Sequence, residues 1–486
     1  MHKMFKRDID ERNEVEWKET MKFENKKLKE FNEYIRFRKV AVIGLGVSNL
    51  PLLDYLYDKK AQVTVFDERN LEEIAADIIS KINTYGFEFS FGKNCLQDLN
   101  GFNLIFRSPS CLPTKPELQK EADRGAIVTT EVEMLMEMCP CKMIGVTGSD
   151  GKTTTTSMIN AVLQKAGYNT FLGGNIGTPL FTKLPEITPD DIVVLELSSF
   201  QLMNMHVSPD IAVITNITPN HLNIHKDYDE YIDAKKTIFK YQNENGILIL
   251  NYDNDITREC TKEANGKVVF FSSQTKLEDG FIVDEDIIKE CEDKVRKHVL
   301  NTDEVIVRGN HNFQNIATVL AATKTLVDVD IAVEALKEFK PVEHRIELVR
   351  EIEGVKWYND SASSSPTRTI SGLNAFKENI VLIAGGYDKN LDYEPLAKPI
   401  MEKVSTLILI GQTAEKIFDE VKKEADIQNK KIDIHMCDSL EQTINVAKKV
   451  ARKGDVVLFS PASASFDMFK NFADRGQQFK NLVNNI

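Results

Sequence analysis

The sequence predicts three consecutive α/β domains: a Rossmann-like N-terminal domain, a central P-loop ATPase-like domain with a mostly parallel sheet, and a Rossmann-like C-terminal domain. The chain has 486 residues, more than one hydrophobic core usually supports. Short apolar runs of strand length alternate with longer helical patterns from Lys39 onwards, the signature of βαβ units. Two of these runs break into glycine turns, Gly44-Leu45-Gly46 and Gly148-Ser149-Asp150-Gly151, at strand C-terminal ends where such sheets bind ligands.

Residues 1–38 mix Glu and Lys around Trp17, Phe23, Leu28, Phe31 and Ile35. A solvated, partly amphipathic helical extension is expected, with docking of its aromatic stripe as the alternative. The first domain, residues 39–141, opens with the strand Val40-Ala41-Val42-Ile43, the turn Gly44 to Asn49, the helix from Leu50 to Tyr57 and the strand Gln62 to Phe66, ending at Asp67. That is a Rossmann-like opening with an acid about 20 positions on, although Asn49 holds the third glycine's place. By motif alone it fits a nucleotide pocket and a plain packing turn equally. A further strand, Phe102 to Phe106, ends in Arg107-Ser108-Pro109-Ser110. Cys139-Pro140-Cys141 marks a break, since proline disfavours a continuing helix.

The second domain, residues 142–340, begins with Met143-Ile144-Gly145-Val146 and breaks into Thr147-Gly148-Ser149-Asp150-Gly151-Lys152-Thr153-Thr154. Glycines let backbone amides converge on an anion, a helix N-terminus favours it, Lys152 adds a mobile charge, and Thr153 or Thr154 can ligate Mg2+. A nucleoside triphosphate site is implied, with a loop shorter than the commonest pattern. Strands at Ile192–Leu195, Ile211–Ile214 and Gly246–Leu250 continue a mostly parallel sheet. Phe339-Lys340-Pro341 marks a second break. Residues 341–486 repeat the pattern at Ile380–Ala384, Leu407–Ile410 and Val456–Phe459.

Glu196 follows the second apolar strand of the triphosphate unit, where an acid commonly orients metal or water, because Mg2+ prefers hard oxygen ligands. A helix-cap role fits Glu196 as well. His221, taken alone, reads as a hydrogen-bonded structural histidine. In Tyr231-Ile232-Asp233-Ala234-Lys235-Lys236, helical spacing turns one lysine to the sheet and the next to water. Residues alone make Lys235 a surface lysine.

Composition narrows the classes. Apolar residues make up 42% and charged residues 28%, as in ordinary globular proteins. A formal net charge of -13 argues against nonspecific nucleic-acid binding, which requires clustered Lys and Arg. The seven cysteines lack paired zinc spacing, and no signal peptide is recognised, so reduced thiols in a cytoplasmic protein are expected. No apolar run reaches the roughly 18 to 20 residues that span a bilayer. A soluble monomer is expected.

From Lys39 to the C-terminus the chain resembles the Mur ligases, ATP-dependent amide-forming enzymes that build the peptide stem of peptidoglycan. The motifs are Gly148 to Thr154, Gly173-Gly174-Asn175-Ile176-Gly177, Leu195 to Leu202, His221, Ala234-Lys235, Gly309 to Asn315, His344-Arg345, Asn359-Asp360-Ser361 and Ser460 to Phe472. Glu196 to Leu202 and Ser460 to Phe469 are most similar to the branch that joins D-glutamate to UDP-N-acetylmuramoyl-L-alanine.

The resemblance implies roles residue by residue. Gly148, Ser149, Asp150, Gly151, Lys152, Thr153 and Thr154 would cradle the ATP phosphates; Asn312 and Asn315 would meet the adenine, joined by Arg345 and Asp360. Two Mg2+ ions would lie among Thr153, Glu196, His221 and Lys235, with Lys235 carrying a carbamate made from CO2. That reverses the surface reading of Lys235. Ser48, Asp67 and Arg69 would recognise the uridine diphosphate, while Asn175, Ser198 and His221 line the path of the sugar-nucleotide peptide. Lys389, Ser465, Phe466 and Phe472 would clasp D-glutamate. One departure stands out: many members carry a lysine after the Asp-Ser pair, where this chain has Ala362 after Asp360-Ser361.

The implied chemistry is phosphorylation of a carboxylate by ATP and attack of an amine on the acyl phosphate, with Lys152, Glu196, His221 and Lys235 as catalytic candidates. Closure of the third domain onto the second would complete the site. Rival readings are another stem-peptide or folylpolyglutamate-type ligase, a nicotinamide-dependent oxidoreductase using Gly44 to Asp67, and a nucleotide-binding regulator without catalysis. The first full Rossmann-like domain argues against the folate enzyme, and the phosphate loop would have no purpose in the oxidoreductase.

Overall fold

The computed structural model describes residues 23–220 and 224–486. They form two compact units. One continues through Lys152 and resumes from Leu163 to Val269; the other comprises Thr153–Val162 and Phe270–Ile486.

In the first unit the helix Lys26–Ile35 starts at Asn25, whose Oδ1 accepts the Leu28 amide at 3.1 Å. Its apolar positions fall on one face, and Leu28, Phe31 and Ile35 are buried. Phe31 sits edge-on to Phe181 with ring centroids 5.7 Å apart, and Asn25 Nδ2 donates to Met138 O at 2.7 Å. Over Lys26–Ile35 the expected amphipathic helix is present, and it takes the docked alternative in place of the solvated one. A three-residue apolar stripe with an aromatic partner outweighs the charge density that had suggested exposure. Trp17 lies outside the described residues.

The strands β1 (Lys39–Ile43), β2 (Gln62–Asp67), β3 (Glu88–Phe91), β4 (Leu104–Arg107) and β5 (Ile127–Thr129) form a sheet in the order β3-β2-β1-β4-β5. Every pairing is parallel. Strand order reverses between β1 and β4, so the turns after these two strands flank the crevice where such sheets bind ligands. At the third-glycine position, buried Asn49 donates Nδ2 to Ile43 O at 2.9 Å and to Gly44 O at 3.1 Å. The turn is thus tied by a side chain.

The strands β6 (Lys142–Thr147), β7 (Thr170–Gly174), β8 (Ile192–Glu196), β9 (Ile211–Ile214) and β10 (Ile247–Asn251) pair in parallel in the order β10-β9-β6-β8-β7. β6 lies between β8 and β9, which brings their three C-terminal ends side by side. Fully buried Phe181 packs edge-on against Phe31, Tyr55 at 5.0 Å and Phe106 at 6.0 Å, so one ring holds residues from three parts of this unit. Buried Arg107, at the end of β4, donates to Met203 O at 2.7 Å and to Phe200 O at 3.4 Å.

The chain enters the second unit along β11 (Lys267–Ser272). β12 (Gly280–Asp284) pairs parallel with it, and β13 (Ile287–Glu292) and β14 (Val295–Asn301) add an antiparallel meander. The sequence reading passed over these strands, because Lys-Glu-Cys-Glu and Arg-Lys-His interrupt their apolar runs. The other sheet of this unit holds β15 (Glu347–Ile352), β16 (Val355–Asn359), β17 (Ile380–Ala384), β18 (Val404–Ile410), β19 (Asp433–Cys437) and β20 (Val456–Phe459), in the order β15-β16-β20-β17-β18-β19. Only the edge strand β15 is antiparallel. Buried clusters on its two faces, one around Leu382 and Leu458 and the other around Ile383 and Trp357, make it a two-sided α/β layer. Three mostly parallel sheets with covering helices are the architecture expected from the sequence.

Phe181→Ala is expected to cost about 3–5 kcal/mol of stability, read as a lower urea midpoint at unchanged slope. An unmoved midpoint would remove the ring from its central place.

Candidate active site

The phosphate loop leaves β6 at Thr147 with Gly148 at φ +149°. A Cβ there would lie 1.9 Å from Thr215 Oγ1, so only glycine lets the loop close against the end of β9. Thr215 Oγ1 donates to Asp150 O at 2.6 Å, and the amides of Ser149 and Asp150 donate to Asn216 O at 2.9 Å and Asn216 Oδ1 at 3.0 Å. The Ser149 hydroxyl donates to Thr218 O at 2.9 Å; the Tyr231 hydroxyl, also 2.9 Å away, must then donate to Ser149. Two expected phosphate donors are thus engaged within the protein. The helix Lys152–Lys165 continues the loop, and a helix N-terminus favours an anion.

Lys152 Nζ donates to Gly148 O at 3.0 Å and Ser149 O at 3.1 Å. Lys235 Nζ reaches the same Gly148 carbonyl at 2.7 Å and Thr147 Oγ1 at 3.4 Å. The helix Tyr228–Lys240 directs Lys235 inward, where it is buried over the Tyr231 ring. Lys236, one residue on, pairs with Glu263 at 2.6 Å. Burial, helped by the nearby Lys152 charge and opposed by Asp150 and Glu196, drives the Lys235 amine well below the ordinary lysine range.

Glu196 ends β8 and is buried. Its Oε1 accepts Asn175 Nδ2 at 2.8 Å, while its Oε2 is buried without a hydrogen-bond partner. The exposed Asn175 also donates its amide to Glu196 O at 2.8 Å. Gly174 makes that approach possible, because a Cβ there would stand 2.2 Å from Glu196 O. An orphaned buried carboxylate oxygen near a deprotonation-prone lysine is a donor set that fits a hard divalent cation. Ser198 caps the short helix Ser199–Leu202: its Oγ donates to Gln201 Oε1 at 2.9 Å and accepts the Gln201 amide at 3.3 Å.

A buried relay lies beside these residues, and the sequence reading did not single it out. His225 Nδ1 stands 3.1 Å from Glu230 Oε2, and its Nε2 stands 3.0 Å from Ser199 Oγ. The carboxylate oxygen beside Nδ1 suits the tautomer with its proton there, in which Nε2 accepts the Ser199 hydroxyl. The imidazole stacks on Phe200 at 4.9 Å, so His225 ties the turn after Glu196 to the helix carrying Lys235. Five-residue spacing from His225 to Glu230 was the signal available. His221 lies outside the described residues.

At the crevice of the first sheet, buried Asp67 accepts the Leu45 amide at 2.8 Å and is forked by Arg69 through Nε and Nη2, each at 2.8 Å. Burial pushes its carboxyl up, but the Arg69 guanidinium and the two backbone donors outweigh that and hold it below the ordinary range. Asp67 and Arg69 line a cleft of about 350 Å³ together with Ser108 and Ser110. Ser48 is half-buried and outside that lining.

In the second unit, Thr155 Oγ1 donates to Asn315 Oδ1 at 3.2 Å, and Asn315 Nδ2 donates to Asn312 Oδ1 at 3.2 Å. The two asparagines share one face of the helix Asn310–Thr323, as their spacing predicts. Thr153 is half-buried and Thr154 buried in the first turn of the phosphate-loop helix. Asp360 follows β16 and accepts Ser460 Oγ at 2.7 Å and the Ile346 amide at 3.3 Å. Burial raises its carboxyl, opposed by these donors and by the charge of half-buried Arg345. Lys389 Nζ stands 5.5 Å from the ring centroid of Phe466, which is exposed, as is Phe472; Ser465 is buried. Ser361 is gripped by buried Arg475. Its Nε donates to Ser361 Oγ at 3.0 Å and its Nη2 to Ser361 O at 2.8 Å. Burial lowers that guanidinium to about 10. Its distance along the chain hid it from the motif reading.

Three family models match: Mur ligase MurD-like, N-terminal domain, over residues 38–130; Mur ligase middle domain, over 146–323; and Mur ligase, glutamate ligase domain, over 344–463. The chain is 47% identical over 464 residues to UDP-N-acetylmuramoylalanine--D-glutamate ligase of Acetivibrio thermocellus, covering 95% of this chain and 99% of that protein. It is 46% identical over 464 residues to the ligase of that name from Clostridium tetani, with 95% and 100% covered. Among solved structures, UDP-N-acetylmuramate-alanine ligase MurC of Thermotoga maritima superposes with a TM-score of 0.58 at 17% identity, over 92% of this chain and 99% of that one. MurF of Acinetobacter baumannii gives 0.59 at 15%, over 87% and 90%. At these identities the structural likeness is one of fold.

A double-mutant cycle of Ser199→Ala and His225→Phe in urea unfolding is expected to give a coupling of about 1 kcal/mol, the worth of one buried hydrogen bond. Strictly additive effects would mean that the relay is not formed.

Proposed function

The chain belongs to the Mur ligase family, and on that premise we propose that it is the ATP-dependent, ADP-forming ligase that adds D-glutamate to UDP-N-acetylmuramoyl-L-alanine. It serves peptidoglycan precursor synthesis. The observation that carries the specificity is near-full-length likeness to ligases of that one name. We place the enzyme in the cytoplasm as a monomer; among the described residues no helix is long and apolar enough to cross a membrane.

A carboxylate is a poor acyl donor, because its oxygen is a poor leaving group. In our reading the γ-phosphoryl group of ATP passes to the L-alanine carboxylate, releasing ADP. The amine of D-glutamate then attacks the acyl carbon, loses a proton and expels phosphate, leaving an amide. Lys152 neutralises the phosphate oxygens as charge gathers on them, and it swaps the Gly148 and Ser149 carbonyls for the anion. Asp67 and Arg69 hold the uridine nucleotide, and Asn175 and Ser198 flank the path to its alanine end. Asn312 and Asn315, with Arg345 and Asp360, take the adenine side. Lys389, Ser465, Phe466 and Phe472 receive D-glutamate, with Lys389 countering a carboxylate.

Mg2+, when bound, would supply charge neutralisation at the transferring phosphoryl group. Glu196 Oε2 supports its place, being buried and unpartnered, and Thr153 and His221 remain expected partners. Lys235 would join them as a carbamate. Burial drives its amine well below the ordinary lysine range and so favours the neutral form that CO2 addition requires, and the adduct turns a nitrogen base into an oxygen ligand.

Phosphate release with UDP-N-acetylmuramoyl-L-alanine is expected with D-glutamate and not with L-glutamate, L-lysine or diaminopimelate; preference for another amino acid would overturn the specificity. Lys235→Ala is expected to lower turnover by at least about 100-fold, with partial return on adding a small carboxylate such as formate. Undiminished turnover without rescue would sink the carbamate.

A further inference from the structure

The Cys139-Pro140-Cys141 segment joins the helix Glu131–Met138 to β6, and neither the ligase reaction nor the family motifs give its thiols a task. The two Sγ atoms lie 3.5 Å apart, and Cys139 Sγ also stands 3.7 Å from the Cys141 carbonyl oxygen. Cys139 is half-buried, whereas Cys141 is buried. Pro140 restricts the backbone between them and so keeps the thiols paired at low entropic cost. A soft-metal site would need more donors. Among the described residues, the group of three His, Cys, Asp or Glu ligand atoms within 4.8 Å of one another is Glu343-His344-Glu347, where Lys480 pairs with both glutamates.

We propose that Cys139 and Cys141 are a redox-active dithiol that closes to an intramolecular disulfide by exchange with a small-molecule disulfide such as oxidised glutathione. The Cys139 thiolate attacks one glutathione sulfur; the glutathione disulfide bond breaks, and one glutathione leaves as thiolate and takes up a proton. Cys141 then loses its proton and attacks Sγ of Cys139, expelling the second glutathione. The protein dithiol is oxidised and one disulfide is reduced to two thiols. The order of attack follows from the local chemistry. A hydrogen bond from Cys141 holds the Cys139 thiol below the ordinary range against the effect of burial, and the same bond together with burial drives Cys141 up. Burial pushes Cys95, Cys111, Cys260, Cys291 and Cys437 up as well, which leaves Cys139 as the entry point.

The test is the full chain equilibrated in glutathione buffers of increasing oxidation, acid-quenched, alkylated and digested. Wild type is expected to yield a Cys139–Cys141 peptide lighter by two hydrogens, reversed by dithiothreitol. Cys141→Ser is expected to stop at a glutathione adduct on Cys139, and Cys139→Ser to form an adduct on Cys141 at least about tenfold more slowly. Two free thiols in wild type at every poise, an adduct that never resolves, or equal adduct rates in the two variants would overturn the proposal.

Discussion

The active-site side of the first unit depends on one steric constraint: the backbone of Gly148 must pass against Thr215, at the end of the neighbouring strand, closer than any Cβ would permit. Once that contact is made, Asn216 takes the next two amides, Ser149 hooks Thr218 and Tyr231, and the Gly148 carbonyl turns to receive both Lys152 and Lys235. The parallel order of β8, β6 and β9 makes this geometry available, because it places the three strand ends in one row. Glu196, the phosphate loop and Thr215 are neighbours for that reason, although 68 positions of chain separate Thr147 from Thr215.

The electrostatics of the row follow from burial and not from charge count. An acidic protein places two lysines, Lys152 and Lys235, on one carbonyl oxygen, and burial drives the amine of Lys235 well below the ordinary lysine range. Glu196 keeps one oxygen occupied by Asn175 and one unused. Leaving a buried oxygen without a hydrogen bond forgoes stability at that point, which is the observation behind the proposed Mg2+ partner. Arg475 in the second unit is the contrasting case. It is also buried, but its guanidinium donates to Ser361, Ala464 and Ser463, so it serves to fix a turn.

Much of this was legible in the sequence. The strand-turn-helix beginnings at Val40 and Met143 announced both sheets, and the glycine spacing announced a phosphate loop. Lys235 and Lys236 were separated by helix periodicity into an inward and an outward residue, and Asn312 and Asn315 were placed together by the same rule. The roles assigned to Glu196 and Lys235 came from resemblance, since a carboxylate after a strand and a lysine on a helix have ordinary explanations. What stayed hidden shares one physical cause. The His225 relay, the Arg475 grip and the Arg107 clamp are contacts between residues distant in sequence or unmarked by any motif, and only packing reveals them. The meander from β12 to β14 was missed because half-exposed strands carry lysine and glutamate and so look like loops. The helix at Lys26 was expected, but charge density favoured a solvated state over docking, because the partner of its narrow apolar stripe, Phe181, lies far along the chain.

Gly148 and Gly174 have a bearing on how such an enzyme could be blocked. At both positions the neighbouring main chain or a buried hydroxyl fills the space that any side chain would need, so the protein has no substitution with which to reshape the surface there. A compound that drew its affinity from the backbone beside those two glycines would press on a part of the wall that a side chain at either glycine could not reshape without displacing its neighbour.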